Sequence, residues 1–320
     1  MPELTPPPST TEPGITGISV IVPVYKGEMF LDELHRRVRE SLASVPGEHE
    51  LLLVEDCGGD GSWIAIERLA AVDPIVRGIQ FSRNFGQHAG ITAGLDLSRG
   101  SWVVVMDCDL QDRPEEIPRL YAKAQEGFEV VVARRGRRKD AWIKVATSRL
   151  FYRLFSYLSG LPMDPQVGNF RIISRRVVEA LSQMRERTRF FVSLVEWMGF
   201  PTASVDVEHA ARPGGQSSYS FHKLMQLALE VIIAYSDKPL WLAIRFGFTV
   251  SLLSMLGGAA IIYRALRYGS PVMGWSSLVV SLYFLGGIII SILGVIGVYL
   301  GKTFEETKRR PLYIVANRVN

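Results

Sequence analysis

Oxygen-bearing side chains follow a short apolar stretch in the first third of the chain. Residues 103–106 read VVVM, which is typical of a buried β-strand, and Asp107, Asp109 and Gln111 follow at alternate positions. Alternate residues of extended backbone point the same way, so these three side chains could converge on one hard divalent cation. The pattern predicts a Mg²⁺ or Mn²⁺ site bridging a diphosphate. The alternative is a solvated turn that caps a helix starting near Pro114.

Strands and helices alternate along the chain around this stretch. The predicted strands are 18–24, 50–54, 76–81, 102–106 and 129–133, and helices are predicted at 29–42, after the glycine-rich loop 58–61, from about residue 87, and at 114–125. This alternation predicts an α/β fold with a doubly wound, mainly parallel sheet, whose ligands bind beyond the carboxyl ends of the strands. There is no GxGxxG after the first strand and no phosphate-binding GKS/T loop, so neither an ordinary dinucleotide fold nor an NTPase is supported.

The apolar residues are concentrated near the C-terminus. The chain has 320 residues, 21% of them charged, and a net charge of +4, yet 246–263 and 268–301 contain no charged residue. Because about 20 apolar residues cross a bilayer as a helix, we predict two transmembrane helices at about 242–264 and 276–300.

The flanking segments suggest how such a protein would be oriented. Residues 1–16 are rich in Pro, Ser and Thr and lack the basic and apolar regions of a signal peptide, so we expect a disordered leader. Two spans would place both termini in the cytosol of a multi-pass inner-membrane protein, and the basic segment 302–320 fits a cytosolic tail. Arg264 and Arg267, in the intervening loop, argue the other way. Both cysteines lie in predicted strand-end loops, which is typical of free thiols in a reducing compartment.

Two amphipathic segments lie between the predicted sheet and the predicted spans. Residues 141–161 and 220–237 mix basic, aromatic and aliphatic side chains, which favours helices lying in the headgroup region of a membrane. They could instead be helices that cover the core of a catalytic domain at 17–219, because amphipathicity alone does not separate the two cases.

Seven sequence blocks occur in order along the chain. They are VPVY at 22–25, ED at 55–56, RNFGQHAGITAGL at 83–95, DCDLQD at 107–112, PEEIPRL at 114–120, FRIISR at 170–175 and RPGGQSSYS at 212–220. Over about residues 18–310, this order resembles the membrane-anchored polyisoprenyl-phosphate glycosyltransferases of glycosyltransferase family 2. That group includes dolichyl-phosphate mannose synthase, bacterial undecaprenyl-phosphate glucosyltransferases and the undecaprenyl-phosphate aminoarabinose transferase, which looks most similar through 83–95 and 109–145.

The resemblance implies a GT-A fold that uses a nucleotide-diphosphate sugar and a divalent metal, Mg²⁺ or Mn²⁺. Pro23 and Tyr25 would wall the base site, and Asp56 would accept a hydrogen bond from a ring N–H. A carboxylate there suits uracil or guanine better than adenine, which has no ring N–H donor. Asp107 would face the ribose or the outer shell of the metal. Asp109 and Gln111 would bind the metal itself.

The resemblance also implies a phosphate-binding side. Arg135 and Arg138 would grip the phosphate of the lipid acceptor, and Arg171 would be a third clamp. The neighbouring basic residues of 134–139 are better explained as a solvated face. Ser217 could donate a hydrogen bond from the loop 212–220.

Three positions depart from the family pattern. Lys26 and Gly27 stand where relatives commonly carry Asn-Glu, and Asn169 stands where they often carry Asp. If that carboxylate contacts the sugar or acts as a base, either the sugar donor differs here or its role has moved to another residue.

The sequence therefore predicts an inverting glycosyltransferase whose partners are a nucleotide-diphosphate sugar, a polyisoprenyl phosphate and the membrane, with no nucleic acid. Homo-oligomers could form through glycines of the two spans. One rival is a processive polysaccharide synthase, but such enzymes normally have more spans and a Q-x-x-R-W block, which is absent. The other is a nucleotide-sugar-binding membrane protein without turnover, because a shared fold does not establish activity.

Overall fold

A computed structural model describes residues 15–135, 167–207, 236–268 and 274–320. The strands in these ranges are β1 (Ile15–Val24), β2 (Glu50–Glu55), β3 (Val76–Phe81), β4 (Gly100–Val105), β5 (Val130–Arg135), β6 (Val167–Ser174), β7 (Thr202–Val207) and β8 (Val315–Val319). The helices are α1 (Glu28–Leu42), α2 (Ser62–Val72), α3 (Gln87–Leu97), α4 (Ile117–Ala124, preceded by a 3₁₀ turn at Pro114–Glu116), α5 (Arg175–Gln183), α6 (Phe191–Trp197), α7 (Lys238–Tyr268) and α8 (Trp275–Thr307).

The strands form one mixed sheet in the order β7-β5-β6-β4-β1-β2-β3-β8. Strands β6 and β8 run antiparallel to their neighbours, and the other six run in one direction. The chain builds outward from β1 through β2 to β3 and then returns to place β4 on the other side of β1. This reversal makes the space beyond β1 and β4 the expected ligand crevice of the sheet.

Helices cover both faces of the sheet. Helices α1, α2 and α4 enclose a core of aliphatic side chains from alternate strand positions, such as Val20, Leu53 and Val104. Helix α3 packs on β1 and β2 on the opposite face, and α5 and α6 lie beside it. The predicted doubly wound, mainly parallel α/β sheet is thus confirmed.

The predicted and observed strands differ mainly late in the chain. Strand β3 has the predicted bounds, while β1 begins at Ile15, inside the predicted leader, and β5 continues to Arg135. Strands β6, β7 and β8 were not predicted. The segment 302–320, predicted as a tail, is instead structured. Residues 302–307 complete α8, and residues 310–320 belong to the sheet unit, where β8 pairs with β3.

Helices α7 and α8 form a second compact unit and pack against each other. The Tyr299 hydroxyl donates a hydrogen bond to the Ser236 carbonyl, at 2.7 Å. Both segments predicted as spans are therefore helical. Among the described residues, one stretch, Phe284–Thr307, is long and apolar enough to cross a membrane. The second span remains a prediction.

Several predicted features lie outside the described residues. They are the leader up to residue 14, the amphipathic segment 141–161, all but the last two residues of 220–237, and the side chains of Arg135, Arg138 and Ser217.

Candidate active site

Three parallel strands end at one edge of the sheet and deliver the predicted site residues there. Val24 of β1 lies beside Glu55 of β2, and Ile21 of β1 lies beside Val105 of β4. The ladder continues past the strand ends, because the Asp56 N–H donates to the Val24 carbonyl at 2.9 Å and the Met106 N–H donates to the Ile21 carbonyl at 3.1 Å. Asp56 and the segment after Met106 therefore begin at the same edge, next to the reversal between β1 and β4.

The loops beyond these three strands each contain a non-glycine residue with left-handed backbone. Lys26 follows β1 with φ of 52°, Cys57 follows β2 with φ of 51°, and Leu110 follows β4 with φ of 60°. Each such conformation costs on the order of 1 kcal/mol or more and persists only where surrounding structure enforces it. Clustering of such residues is typical of functional sites, and the sequence pattern gave no sign of it.

The Asp56 carboxylate is buried and fixed by a loop that follows β3. One oxygen, Oδ1, accepts from the Phe85 N–H at 2.6 Å, and Oδ2 accepts from the Gly86 N–H at 2.8 Å. The Asn84 side-chain amide donates to the Asp56 carbonyl at 3.1 Å. Burial raises the pKa of Asp56, and the two N–H groups oppose that shift. Because each carboxylate oxygen has two lone pairs, the held group retains capacity for a ligand N–H.

Asp107 lies where α3, the end of β4 and β6 come together. Its Oδ1 accepts from Gln87 Nε2 at 2.7 Å and from Asn169 Nδ2 at 3.4 Å. The structure thus joins the predicted residue Asp107 to Asn169, one of the departures from the family pattern. At this position Asn169 supplies a hydrogen-bond donor to a carboxylate, which an aspartate could do only when protonated.

The turn after Asp107 is organised around a buried leucine. Leu110 is 6% exposed, and its left-handed backbone lets the Gln111 N–H donate to Asp109 Oδ1 at 3.1 Å. Asp112 accepts from the Asp107 N–H at 3.2 Å, and the N-cap residue of the following 3₁₀ turn, Arg113, forms no side-chain capping bond. These contacts fix the turn against the end of β4.

The oxygen-bearing side chains at this edge are of the types that bind a divalent metal together with a diphosphate. Among the described residues there is no cluster of three or more His, Cys, Asp or Glu side chains placed to hold an ion. Asp107 and Asp109 provide two carboxylates, and Gln111 adds an amide oxygen. Mg²⁺ is typically held by one or two protein carboxylates, with substrate phosphates and water completing its shell.

Two of the predicted contacts need correction because the side chains are buried. Pro23 lies within β1 under α3, where a Cβ added at Gly90 would be only 3.0 Å from the Pro23 Cβ. It therefore packs against the helix and does not wall a base site. Tyr25, two residues further and just past the end of β1, is 52% exposed and remains accessible.

Arg171 is fully buried, so it cannot be the predicted clamp on an exposed lipid phosphate. Its Nη2 donates to the Gly168 carbonyl at 2.8 Å, and its guanidinium lies 5.3 Å from the centre of the Phe191 ring. Within the described part of the chain, its Nε has no hydrogen-bond partner. Burial lowers the pKa of Arg171 to about 10, which still leaves it charged at neutral pH. It sits in the layer between β6 and α6.

The arginines predicted to bind the acceptor phosphate are described only in part. Arg135 is the last residue of β5 and pairs with Val207 of β7, so it belongs to the strand rather than following it. Arg134, its neighbour, is exposed. Arg138 and Ser217 lie outside the described residues.

The loop at 82–86 is the site element that sequence reasoning missed. Phe85 and Gly86 hold Asp56, and Gln87 holds Asp107, although all three lie in a block that was noted only as a family motif. Gly86 has φ of 93°, a conformation that glycine adopts readily. Gly86 was therefore the residue in that block from which a left-handed backbone conformation could have been predicted.

Comparison with known proteins gives the family. Residues 19–182 match the model of the family described as glycosyl transferase family 2. The chain is 38% identical over 298 residues to the uncharacterized glycosyltransferase YkcC of Bacillus subtilis (strain 168), covering 93% of this chain and 92% of that protein. It is 38% identical over 301 residues to the bactoprenol glucosyl transferase of Shigella phage SfV, covering 94% and 98%.

A further relative agrees with this result. The prophage bactoprenol glucosyl transferase homolog of Escherichia coli (strain K12) is 38% identical over 299 residues, covering 93% of this chain and 98% of that protein. A solved structure of glucosyl-3-phosphoglycerate synthase from Mycobacterium tuberculosis aligns with a TM-score of 0.48 and 16% identity, over 68% of this chain and 76% of that chain. The family match and the near full-length relatives, with the mixed GT-A-like sheet, lead to one conclusion: the chain belongs to glycosyl transferase family 2.

Proposed function

We propose that this protein transfers one sugar, with inversion, from a nucleotide-diphosphate sugar, UDP-linked in the simplest case, to a polyisoprenyl phosphate such as undecaprenyl phosphate. The bactoprenol glucosyl transferases that match it over nearly their whole length support this acceptor. The observation that carries the proposal is the convergence of Asp56, Asp107 and the Asp109 turn at one sheet edge.

Asp56 would recognise the base of the sugar donor. Its carboxylate is held by two backbone N–H groups and retains lone pairs for a ring N–H of uracil or guanine. Tyr25, exposed at the end of β1, would lie against the same base. These contacts would orient the nucleotide and leave its diphosphate toward Asp107.

Asp109 and Gln111 would hold a divalent metal, Mg²⁺ or Mn²⁺, with Asp107 facing the ribose or the outer shell of the ion. When bound, such an ion neutralises the charge that grows on the leaving diphosphate. Asn169 and Gln87 would keep Asp107 oriented through their amide groups.

The acceptor phosphate would be gripped by Arg135 and Arg138, with Ser217 as a further hydrogen-bond donor. An oxygen of this phosphate attacks C1 of the sugar from the face opposite the diphosphate; the new C1–O bond forms as the C1–O bond to the diphosphate breaks. A phosphate monoester is already mostly ionised near neutral pH, so the attacking oxygen needs little help from a general base. Positioning of the two substrates would supply most of the rate.

We further propose that α7 and α8 both cross the cytoplasmic membrane and hold the sheet unit at its cytosolic face. Large apolar side chains on both helices are exposed, among them Phe248 and Ile290 at 71% each, as expected for surfaces that contact lipid. The amphipathic segments 141–161 and 220–237 would lie at the membrane interface. Glycines of the two helices could pair copies of the chain as a homo-oligomer.

Replacing Arg135 and Arg138 by alanine should weaken acceptor binding selectively. Loss of charge-assisted hydrogen bonds to a phosphate is expected to raise the KM for undecaprenyl phosphate by about 10-fold or more, with the KM for the sugar donor unchanged. Steady-state kinetics in detergent micelles would measure both constants.

Arg134→Ala is the matched control, because Arg134 is an exposed cation on the same strand. Its acceptor kinetics should equal those of the wild type. If Arg135→Ala, Arg138→Ala and Arg134→Ala all kept the wild-type KM for undecaprenyl phosphate, Arg135 and Arg138 would not belong to the acceptor site.

Replacing Asn169 by aspartate should make activity depend on pH in a new way. The variant places a second carboxylate where the amide now lies 3.4 Å from Asp107 Oδ1, and two carboxylates that close do not both ionise readily. Only the protonated aspartate can donate as Asn169 does, so we expect about a 10-fold loss of turnover that grows as the pH rises. A pH–rate profile would measure it, and Asn169→Ala should show a loss without that added dependence.

The proposal is tested by incubating the purified protein with UDP- and GDP-sugars, undecaprenyl phosphate and Mg²⁺ or Mn²⁺, and identifying the lipid product by mass spectrometry. We expect a lipid phosphate carrying one sugar. A polymer would indicate a processive synthase, and binding of the sugar donor without any glycolipid would indicate a protein that has lost turnover. Either result would contradict the proposal.

A further inference from the structure

The C-terminal segment returns to the sheet unit and completes its β3 edge. Strand β8 pairs antiparallel with β3, with Gly78 opposite Val319 and Gln80 opposite Asn317. The contact extends past the end of β3, because the Ser82 N–H donates to the Ile314 carbonyl at 3.0 Å. The segment 311–320 thus reaches the start of the loop that holds Asp56.

Tyr313 anchors this segment by its ring and by its hydroxyl. The ring stacks on Phe81, with 5.3 Å between the ring centres and 20° between the planes. The hydroxyl donates to Asp96 Oδ2 at 2.9 Å, and Arg185 pairs with the same carboxylate at 2.8 Å. Phe81 is only 1% exposed, so Tyr313 forms part of its enclosure.

A short series of contacts then connects Phe81 to the site. Phe85 packs edge-on against Phe81, with 5.6 Å between the ring centres, and Arg83 lies 4.2 Å over the Phe85 ring. The Phe85 N–H donates to Asp56 Oδ1 at 2.6 Å. Tyr313 is therefore separated from the Asp56 carboxylate by two aromatic residues, all within the sheet unit.

We propose that the C-terminal segment 311–320 is a positioning element of the sugar-donor site, in which Tyr313 fixes the loop 82–86 through Phe81 and Phe85 and so orients Asp56. The inference rests on the proposed function, since it takes Asp56 as the group that recognises the nucleotide. Tyr313 itself touches no substrate. Removing its ring would leave one face of Phe81 open and allow the loop to lose the geometry that aims both N–H groups at Asp56.

The test compares three variants of the full-length protein in detergent. Tyr313→Ala removes the stacked ring, Tyr313→Phe keeps the ring but removes the bond to Asp96, and Asn317→Ala is a control on the same strand. Asn317 is exposed, and its side-chain amide donates a hydrogen bond to Gln80 Oε1 at 2.6 Å. It is not one of the stacked aromatic residues. Two quantities are measured: amide hydrogen exchange of segment 82–87, and the affinity for uridine diphosphate in the presence of Mn²⁺.

Tyr313→Ala should speed exchange in 82–87, leave exchange in α1 unchanged, and weaken uridine diphosphate binding by roughly 3- to 10-fold, the range expected for one aromatic pair. The kcat at saturating sugar donor should stay within about 2-fold, because the reacting groups are untouched. Tyr313→Phe should retain most of the affinity, and Asn317→Ala should match the wild type in every measurement.

Unchanged exchange in 82–87 would overturn the inference, as would faster exchange with unaltered nucleotide affinity. In both cases glycolipid formation by the wild type would leave the proposed function standing. If the wild type neither bound uridine diphosphate nor formed glycolipid, the proposed function would fall and the positioning role at a sugar-donor site would fall with it.

Discussion

Replacement of Asp109 by alanine should reduce sugar transfer by about 1,000-fold, while expression and membrane insertion stay normal. The Asp109 carboxylate is partly exposed on a turn built around Leu110, and one of its oxygens already accepts the Gln111 N–H. Its loss would remove a carboxylate that we propose holds the metal against the diphosphate. The turn itself should survive, because Leu110 remains buried. Radiolabelled sugar incorporated into lipid would measure the effect.

Glu115→Ala is the matched control for this prediction. Glu115 is a nearby carboxylate whose two oxygens pair with Arg37 at 2.6 and 2.7 Å, and it lies outside the turn at 107–111. We expect near wild-type transfer in that variant. Wild-type transfer in Asp109→Ala as well would contradict the proposed metal site.

Asp56→Asn should raise the KM for the sugar donor by about 30-fold or more. The carboxylate accepts the Phe85 and Gly86 N–H groups on separate oxygens, so an asparagine must turn an NH₂ group toward one of them. That arrangement places two hydrogen-bond donors face to face and leaves one buried N–H unsatisfied, which costs about 1–3 kcal/mol. The variant also loses the acceptor that we propose for the ring N–H of the base.

The same residue predicts a pH dependence. Burial raises the pKa of Asp56, so the carboxylate protonates at a higher pH than an ordinary aspartate does. Affinity for the sugar donor should therefore fall as the pH is lowered toward that raised pKa, and this acid limb should disappear in Asp56→Asn. Profiles of kcat/KM against pH would measure it. An unchanged KM for the sugar donor in Asp56→Asn would remove Asp56 from base recognition.

Local sequence patterns predicted the first half of the fold well. Strands β1 to β5 are short runs bounded by turn residues, and α1 and α4 each have one buried apolar face, so both periods are visible in the sequence. Their parallel order then places Asp56 and Asp107 at one edge without any knowledge of distant contacts.

The later strands were missed because their patterns were interpreted otherwise. Strand β6 contains all but the last residue of the FRIISR block, from which Arg171 was predicted as a clamp on the lipid phosphate. The strand pairs with both β4 and β5, and Arg171 is completely buried. Strand β8 follows a long apolar helix and has no buried side chain, three of its five being exposed, so the segment was predicted as a tail. Its role depends on pairing with β3 more than 200 residues earlier, and no local pattern reports such a contact.

The site shows the same limit at the level of single residues. The sequence identified Asp56 and Asp107 but could not supply their partners, because the Phe85 and Gln87 contacts join segments that are 20 or more residues apart. Asn169 was visible only as a departure from the family pattern. Its amide contact with Asp107 gives that departure a physical explanation.

The central claim is that oxygen ligands at the end of β4 hold a divalent ion together with a sugar nucleotide. Electron paramagnetic resonance of Mn²⁺, titrated into the purified protein with and without uridine diphosphate, tests it without reliance on turnover. We predict that the wild type binds Mn²⁺ tightly only when the nucleotide is present, and that Asp109→Ala loses this binding while Glu115→Ala keeps it. Equal nucleotide-dependent Mn²⁺ binding by the wild type and Asp109→Ala would contradict the account.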